Sequence, residues 1–274
     1  MIRASSCYSI CTNKPSFDQS QYDLVETTLK QKVEAKKMDY NPGNLSLYLE
    51  TRGLKTFTQD FIKQVEKKEV FEKDELPDGA KNKLQEIWLE EQGFYDFSLL
   101  EQTFALQKGH LVEDKAIELI NKVHNIHVLK NEERKTKGFL SGTCDMIYNS
   151  VIRDNKSPES WKSFRKKNSN IEQQYYFQLV AYKYLYDAKE TWLDYTLMPT
   201  PPELFSILTS KMSEVEKKKF AVTEAMITKL KPEQRIKSYL IEIPDEDIEF
   251  LVKRLEKSEE YYNHLDFKEC MNLN

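Results

Sequence analysis

Residues 138–158, GFLSGTCDMIYNSVIRDNKSP, place two aspartates and a lysine at a spacing that suits a hard metal ion. If Asn149-Ser150 is a two-residue turn, Tyr148 faces Val151, Ile147 faces Ile152, Met146 faces Arg153 and Asp145 faces Asp154 across a hairpin. Side chains alternate along a strand, so Asp145, Ile147, Ile152, Asp154 and Lys156 share one face. Opposed pairs have Cβ atoms about 5 Å apart, and like charges so placed repel unless a cation lies between them. Mg²⁺ binds through one or two carboxylates and keeps several waters, which leaves room for a phosphate oxygen and an attacking water. Lys156 adds a positive charge that would lower the water's pKa, orient it or hold the scissile phosphate. The competing reading is an edge hairpin whose solvated face carries Asp, Asp and Lys by chance, since isolated Asp-x-Lys triplets are common in charged chains.

Two helices must flank that hairpin. In GHLVEDKAIELINKV, from Gly109 to Val123, Glu113 shares the apolar stripe of Ala116, Ile117 and Ile120, whereas Asp114 and Glu118 point elsewhere. A carboxylate on that stripe is either in a buried salt bridge, with Lys156 for example, or a third metal ligand. Gly109 would allow a close backbone approach at the helix start. His110, one turn before Glu113, either touches the same ion or is a partly exposed first-turn histidine, which is the commoner case. Over 171–187 an aromatic-rich helix is expected, with Ser169-Asn170 as N-cap and Gln173 completing a capping box. It carries Gln174, Gln178 and Tyr182 at successive i+4 steps, and Phe177, Ala181, Tyr184 and Leu185 as a core stripe. Gln178 and Tyr182 are then placed to hydrogen-bond a phosphate or a metal-bound water.

Between hairpin and helix runs SPESWKSFRKKNSN, basic with interleaved aromatics. Residues 130–167 hold ten Lys and Arg against five Asp and Glu, a local net of +5 that leaves −9 for the rest of a chain whose total is −4. The total alone, with a pI of 5.8, argues against a nucleic-acid partner. The local excess argues for a polyanion held beside the carboxylates, with Arg153, Ser157, Trp161, Lys162, Arg165, Lys166, Lys167 and Gln174 as contacts. A merely solvated basic loop is the alternative.

The 274-residue chain as a whole reads as a globular α/β protein. Helical patterns are expected near 21–38, 57–68, 80–92 and 211–229, strand-like runs within 139–156, at 191–198 and at SYLIEI, and a last amphipathic helix bearing Ile248, Leu251, Val252 and Leu255. No linker divides the chain. It reads as one domain with a helical part at 1–104, a core at 105–198 and an extension at 199–274. No run reaches the ~18 apolar residues of a membrane helix. With no signal-like start and four scattered cysteines (Cys7, Cys11, Cys144, Cys270), a reducing cytoplasm is expected.

Taken in order, Gly109-x-x-x-Glu113-x-x-Ala116, Gly142-x-x-Asp145, Asp154-Asn155-Lys156-Ser157-Pro158 and Gln178-Leu179-x-x-Tyr182 resemble the PD-(D/E)XK nuclease superfamily. The nearest likeness is to its phage-type branch, the lambda exonuclease and YqaJ-like (RecB-like) recombinases, and the opening RASSCYSICTNK resembles that branch's serine-containing N-terminal segment. The likeness covers residues 105–198. It implies a central mixed sheet flanked by helices, and Mg²⁺- or Mn²⁺-dependent DNA cleavage, exonucleolytic by preference, leaving 5′-phosphates. It also implies Asp145 and Asp154 as metal ligands, Glu113 completing the site, Lys156 activating or positioning water, and Gln178 and Tyr182 in support. Cys144 stands where the superfamily's name-giving proline would be, and Asp154 where many relatives have glutamate. Some RecB-type relatives hold an iron-sulfur cluster with three clustered downstream cysteines; only Cys270 is downstream here, so none is expected. A homo-oligomer and a single-strand annealing protein as partner follow by analogy alone. A structure-specific endonuclease, an inactive DNA-binding module and a structural protein with chance motifs are the other readings, the last expecting Asp145 and Asp154 to lie far apart.

Overall fold

A computed structural model describes residues 1–11, 76–95, 104–210 and 212–273; the helices expected near 21–38 and 57–68 lie outside them. The described chain opens with strand β1 (Ile2–Arg3), a single 3₁₀ turn and helix α1 (Cys7–Cys11), then resumes with α2 (Asp78–Glu91) and α3 (Phe104–His124). Strands β2 (Lys135–Lys137), β3 (Leu140–Gly142), β4 (Met146–Tyr148) and β5 (Val151–Lys156) follow. Helices α4 (Trp161–Lys166) and α5 (Gln173–Tyr186) lead into β6 (Glu190–Thr196). The remainder is α6 (Pro202–Thr209), α7 (Glu214–Lys229), β7 (Ile236–Leu240), α8 (Asp245–Asn263) and α9 (Phe267–Cys270).

The β4–β5 hairpin has the register its turn residues dictate: Met146 pairs with Arg153, Ile147 with Ile152 and Tyr148 with Val151. Asn149 and Ser150 both adopt positive φ, 48° and 63°, as a type I′ turn requires. Helix α5 then carries the chain across to β6, which lies parallel to β5, and β7 closes the order β4-β5-β6-β7 antiparallel to β6. A second, three-stranded sheet, β1-β3-β2, has the chain's first residues at its edge, Ile2 opposite Leu140. The architecture is mixed α/β, with the one central sheet of the expectation accompanied by this smaller one.

Helix α3 packs on one face of β5 and β6, and α5 on the other. On the α5 side Leu179, Val180 and Ala181 are fully buried with Ile152, Leu193, and Cys7 and Ile10 of α1. On the α3 side Ile117 and Ile120 close on Met146, and Val112, Ala116 and Leu119 on Met198. Each fully buried aliphatic side chain contributes about 1.5–3 kcal/mol, so the site-bearing strand is clamped by apolar packing from both sides.

Several local expectations shift. Helix α3 begins five residues before Gly109, and a Cβ on Gly109 would meet nothing within 4 Å, so no close approach occurs there. The close approach is at Gly142, where a Cβ would stand 2.7 Å from the Ala4 Cβ and 3.1 Å from the Tyr182 ring. Helix α5 starts at Gln173 behind Glu172, so Ser169-Asn170 is not its cap. The helix expected over 211–229 is preceded by a separate one, α6, and Ser213 with Glu216 forms a capping box on α7. The strand expected at SYLIEI begins at Ile236, where it can pair with Thr196. The four cysteines are free and buried, and no helix among the described residues is long and apolar enough to cross a membrane.

Candidate active site

Asp154 sits on β5 between two hydrogen-bonded neighbours, 1% exposed, and neither of its carboxylate oxygens accepts a hydrogen bond. Its close partner is the Lys156 ammonium, 2.8 Å from Oδ2 but outside hydrogen-bond geometry. Asp145, at the entrance to β4, accepts the Asn155 amide on Oδ2 at 2.7 Å. Burial, then the charge of Asp154, pushes its pKa up to about 8, against the pull of Lys156 and the Asn155 amide. A buried carboxylate and a half-buried one beside it therefore lie in the field of one ammonium, which is a costly arrangement unless another cation joins them. The reading in which the motifs arose by chance expects these aspartates to be apart; instead the charge of Asp154 acts on Asp145, which accepts the backbone amide of the residue following Asp154.

Lys156 is held from the other side as well. Its Nζ donates to Gln178 Oε1 at 3.0 Å, and Gln178 Nε2 donates to the Tyr182 hydroxyl at 2.9 Å. Gln178 and Tyr182 are one turn apart on α5, so the predicted polar stripe becomes a relay that orients the lysine. Burial alone would lower the Lys156 pKa, but Asp154 and Asp145 hold it above the usual lysine range, so the group stays an ammonium. Burial, with Asp154 and Asp145 adding to it, raises the Tyr182 phenol far out of its titration range, so it acts as a neutral hydrogen-bonding group.

Asp145, Lys156 and Gln178 border a cleft of about 580 Å³ walled by the first half of α3, the end of β5 and the start of α5, whereas the buried Asp154 and Tyr182 do not line it. His110, Glu113, Asp145, Lys156, Ser157, Lys167, Gln174 and Gln178 all face it. Glu113 lies on α3 as predicted, but its carboxylate pairs with Lys130 at 2.9 Å rather than with Lys156. Among the described residues no three His, Cys, Asp or Glu side chains gather closely enough to hold a metal ion, so Glu113 borders the cleft without joining the aspartates. His110 is exposed on the cleft wall. Ser157 Oγ is hydrogen-bonded to Thr196 Oγ1 at 2.9 Å.

Helix α4 begins at a Ser160–Ser163 capping box and carries Trp161, Lys162, Arg165 and Lys166 on the surface. Lys237 satisfies its last carbonyls, bonding Phe164, Arg165 and Lys167 oxygens at 3.1, 3.1 and 2.7 Å. Lys167 turns back toward the cleft, paired with Glu172 and 5.3 Å from the Tyr195 ring centroid. Arg153 does not belong to this surface. It is 3% exposed on the opposite face of β5, with its guanidinium committed to Asp194, because strand alternation puts it one residue out of phase with Asp154.

Residues that sequence reasoning missed line the cleft, as Ser5 and Tyr175 do, or brace the elements around it, as Lys108 and Lys130 do. Ser5, just after β1, lines the cleft, signalled only through the resemblance of its segment to the phage branch. Lys108 is 1% exposed and donates to the Glu159 carbonyl at 3.0 Å, strapping the β5–α4 connection to α3. Its signal is spacing, since 108, 112 and 116 form one i+4 row. Tyr175 lies on the cleft with its ring centroid 5.1 Å from Lys156 Nζ. Lys130, on a loop, has no local signal at all.

The donor set is carboxylate oxygen, the preference of Mg²⁺ and Mn²⁺, and the bare oxygens of Asp154 leave acceptor capacity that a hard cation would fill. The residues present thus fit such an ion at Asp145 and Asp154. A crystal structure of a phage-related exonuclease from Haemophilus somnus 129PT matches 72% of this chain and 86% of its own, with a TM-score of 0.58 and 24% identity. The chain has that exonuclease's fold. An alkaline exonuclease from Laribacter hongkongensis matches 72% of this chain and 84% of its own at 13% identity and a TM-score of 0.48. No protein-family model and no curated protein matches the sequence. The mixed α/β fold expected from the sequence is the one the structure has.

Proposed function

We propose that this chain is a Mg²⁺- or Mn²⁺-dependent deoxyribonuclease that hydrolyses phosphodiester bonds from DNA ends. The observation that carries the reading is the buried Asp154, bare of hydrogen bonds, beside Asp145 and one ammonium. Asp145 and Asp154 would hold the ion. A divalent cation bound there supplies charge stabilisation on the phosphoryl oxygens and a water of lowered pKa.

The chain's own groups do the rest. Lys156, kept protonated by the two aspartates and aimed by Gln178, presents positive charge to a phosphate oxygen or to the attacking water. The water oxygen bonds to phosphorus and gives up a proton to solvent, the P–O3′ bond breaks, and O3′ takes a proton from solvent to leave as a hydroxyl, giving a 5′-phosphate on the downstream fragment. Lys167 and Gln174, which line the cleft, and the exposed cations of α4 would hold backbone phosphates. Exonucleolytic action is supported by the fold shared with the Haemophilus somnus exonuclease.

End-labelled linear duplex incubated with Mg²⁺ tests this. Asp154→Ala and Lys156→Ala should each lower the rate by roughly 10²–10³-fold, with closed circular duplex untouched. Variants that cut like the wild type would sink the nuclease reading, and cleavage of the closed circle would make it an endonuclease.

A further inference from the structure

We propose that Lys130 is a built-in cation on Glu113, and that the site therefore takes a single divalent ion where three nearby carboxylates could have been thought to take two. This rests on the metal-dependent reading above. Glu113 reaches the cleft from α3, but its carboxylate is 2.9 Å from Lys130 Nζ and joins no metal-holding trio among the described residues.

Lys130 is placed there by design of the loop between α3 and β2. The Asn121 side chain bonds both the amide and the carbonyl of Val128, at 3.2 and 2.8 Å, tying the start of the loop to α3. Asn131 is then stapled to the site itself. Its amide donates to the Asp145 carbonyl at 2.8 Å, and its side chain donates to the Cys144 carbonyl at 3.0 Å and to the Tyr186 hydroxyl at 3.1 Å. The backbone at 130 is thus fixed on both sides, and the ammonium has a short reach to Glu113. The hydrogen bond that Lys130 donates to Glu113, reinforced by the charges of Glu113, Asp114 and Asp145, outweighs partial burial and strengthens the protonated state.

Charge balance supports the same count. A metal ion requires ionised ligands, and Glu113, Asp145 and Asp154 set against Lys130 and Lys156 then leave the site at −1. One divalent ion and one phosphodiester bring it to neutrality. A second ion would leave an excess of +2 in a cleft partly withdrawn from water, because Glu159 and Lys167, which also line the cleft, cancel one another.

The test is Mn²⁺ titration of the full chain, followed by electron paramagnetic resonance and calorimetry, with circular dichroism to establish folding. The wild type should bind one Mn²⁺, Glu113→Gln should retain it, and Asp154→Ala should lose it. Lys130→Met should add a second, weaker binding event that disappears in Lys130→Met/Glu113→Gln, and Lys130→Gln, which keeps a polar side chain, should do the same. Two ions in the wild type, loss of binding in Glu113→Gln, or a single event in both Lys130 variants would overturn the inference while leaving the nuclease reading standing. No Mn²⁺ bound by the wild type, or binding unaffected by Asp154→Ala, would overturn both.

Discussion

The two faces of β5 each bury a charge, one residue apart, and treat it in opposite ways. On the α3 face, Arg153 places Nε on Asp194 Oδ2 and Nη2 on Oδ1, both at 2.8 Å, and lies 4.8 Å from the Trp192 ring centroid. Asp194 also accepts from Ser238, and His124 accepts from Arg153 at 3.0 Å. Burial and then the Arg153 charge lower the His124 pKa, against the pull of Asp194, which keeps that ring a neutral acceptor. On the α5 face, Asp154 is as deeply buried and accepts no hydrogen bond. The contrast shows that burial of a charge does not by itself mark chemistry. A buried charge whose partners are complete is architecture, and one whose partners are missing is a site awaiting a ligand.

Stability is where the two faces should diverge most. Asp194→Ala strands a buried guanidinium and should cost about 3–5 kcal/mol in urea unfolding. Asp154→Asn, in metal-free buffer, should leave the midpoint at or above that of the wild type, because it removes a buried charge that accepts no hydrogen bond and leaves Asp145 to balance Lys156. Equal losses would erase the distinction. A smaller effect is expected behind the open face. Gly142→Val drives its Cβ branch into Ala4 and Tyr182 and should cost about 1–3 kcal/mol. It should lower cleavage further through the Tyr182–Gln178–Lys156 relay, whereas Gly109→Ala, in open space within a helix, should be neutral or stabilising.

The pH response should separate the faces by sign. Asp145's folded pKa, about 8, lies above its unfolded value of 3.8, so its contribution to stability is present below about pH 4 and is lost as pH rises through about 8. A metal ion favours the ionised form, so the rise in Tm produced by Mg²⁺ should grow from pH 6 to pH 8, and Asp145→Asn should flatten that growth. The smallest effect belongs to the exposed cations. Lys166→Ala should reduce the salt dependence of DNA binding by about one unit of slope in a log–log plot, while leaving unfolding unchanged.

Much of the hairpin was legible in the sequence because its determinants are local. The Asn149-Ser150 turn and period-2 alternation set its register, so Asp145, Asp154 and Lys156 could be assigned to one face. The i+4 spacing did the same for Gln178 and Tyr182. Arg153 was misassigned to the DNA surface because its charge is visible in the sequence and its partner is not. Asp194 comes from β6, brought alongside by a parallel crossover whose register no local pattern encodes. Glu113 was placed on the right stripe of its helix and given the wrong partner for the same reason, since Lys130 arrives on a loop.

What the sequence determined by itself, then, was the chemistry on offer: a carboxylate pair and a lysine on one strand face, a polar stripe on one helix, and a basic segment between them, all read from intervals of a few residues. Tertiary structure decided which of those charges would be completed and which left open. The Arg153–Asp194 pair, the Lys130–Glu113 pair and the seating of β1 against Gly142 all join residues distant in the chain. Strand and helix periods say which way a side chain points, but only the packing of elements against one another says what it meets.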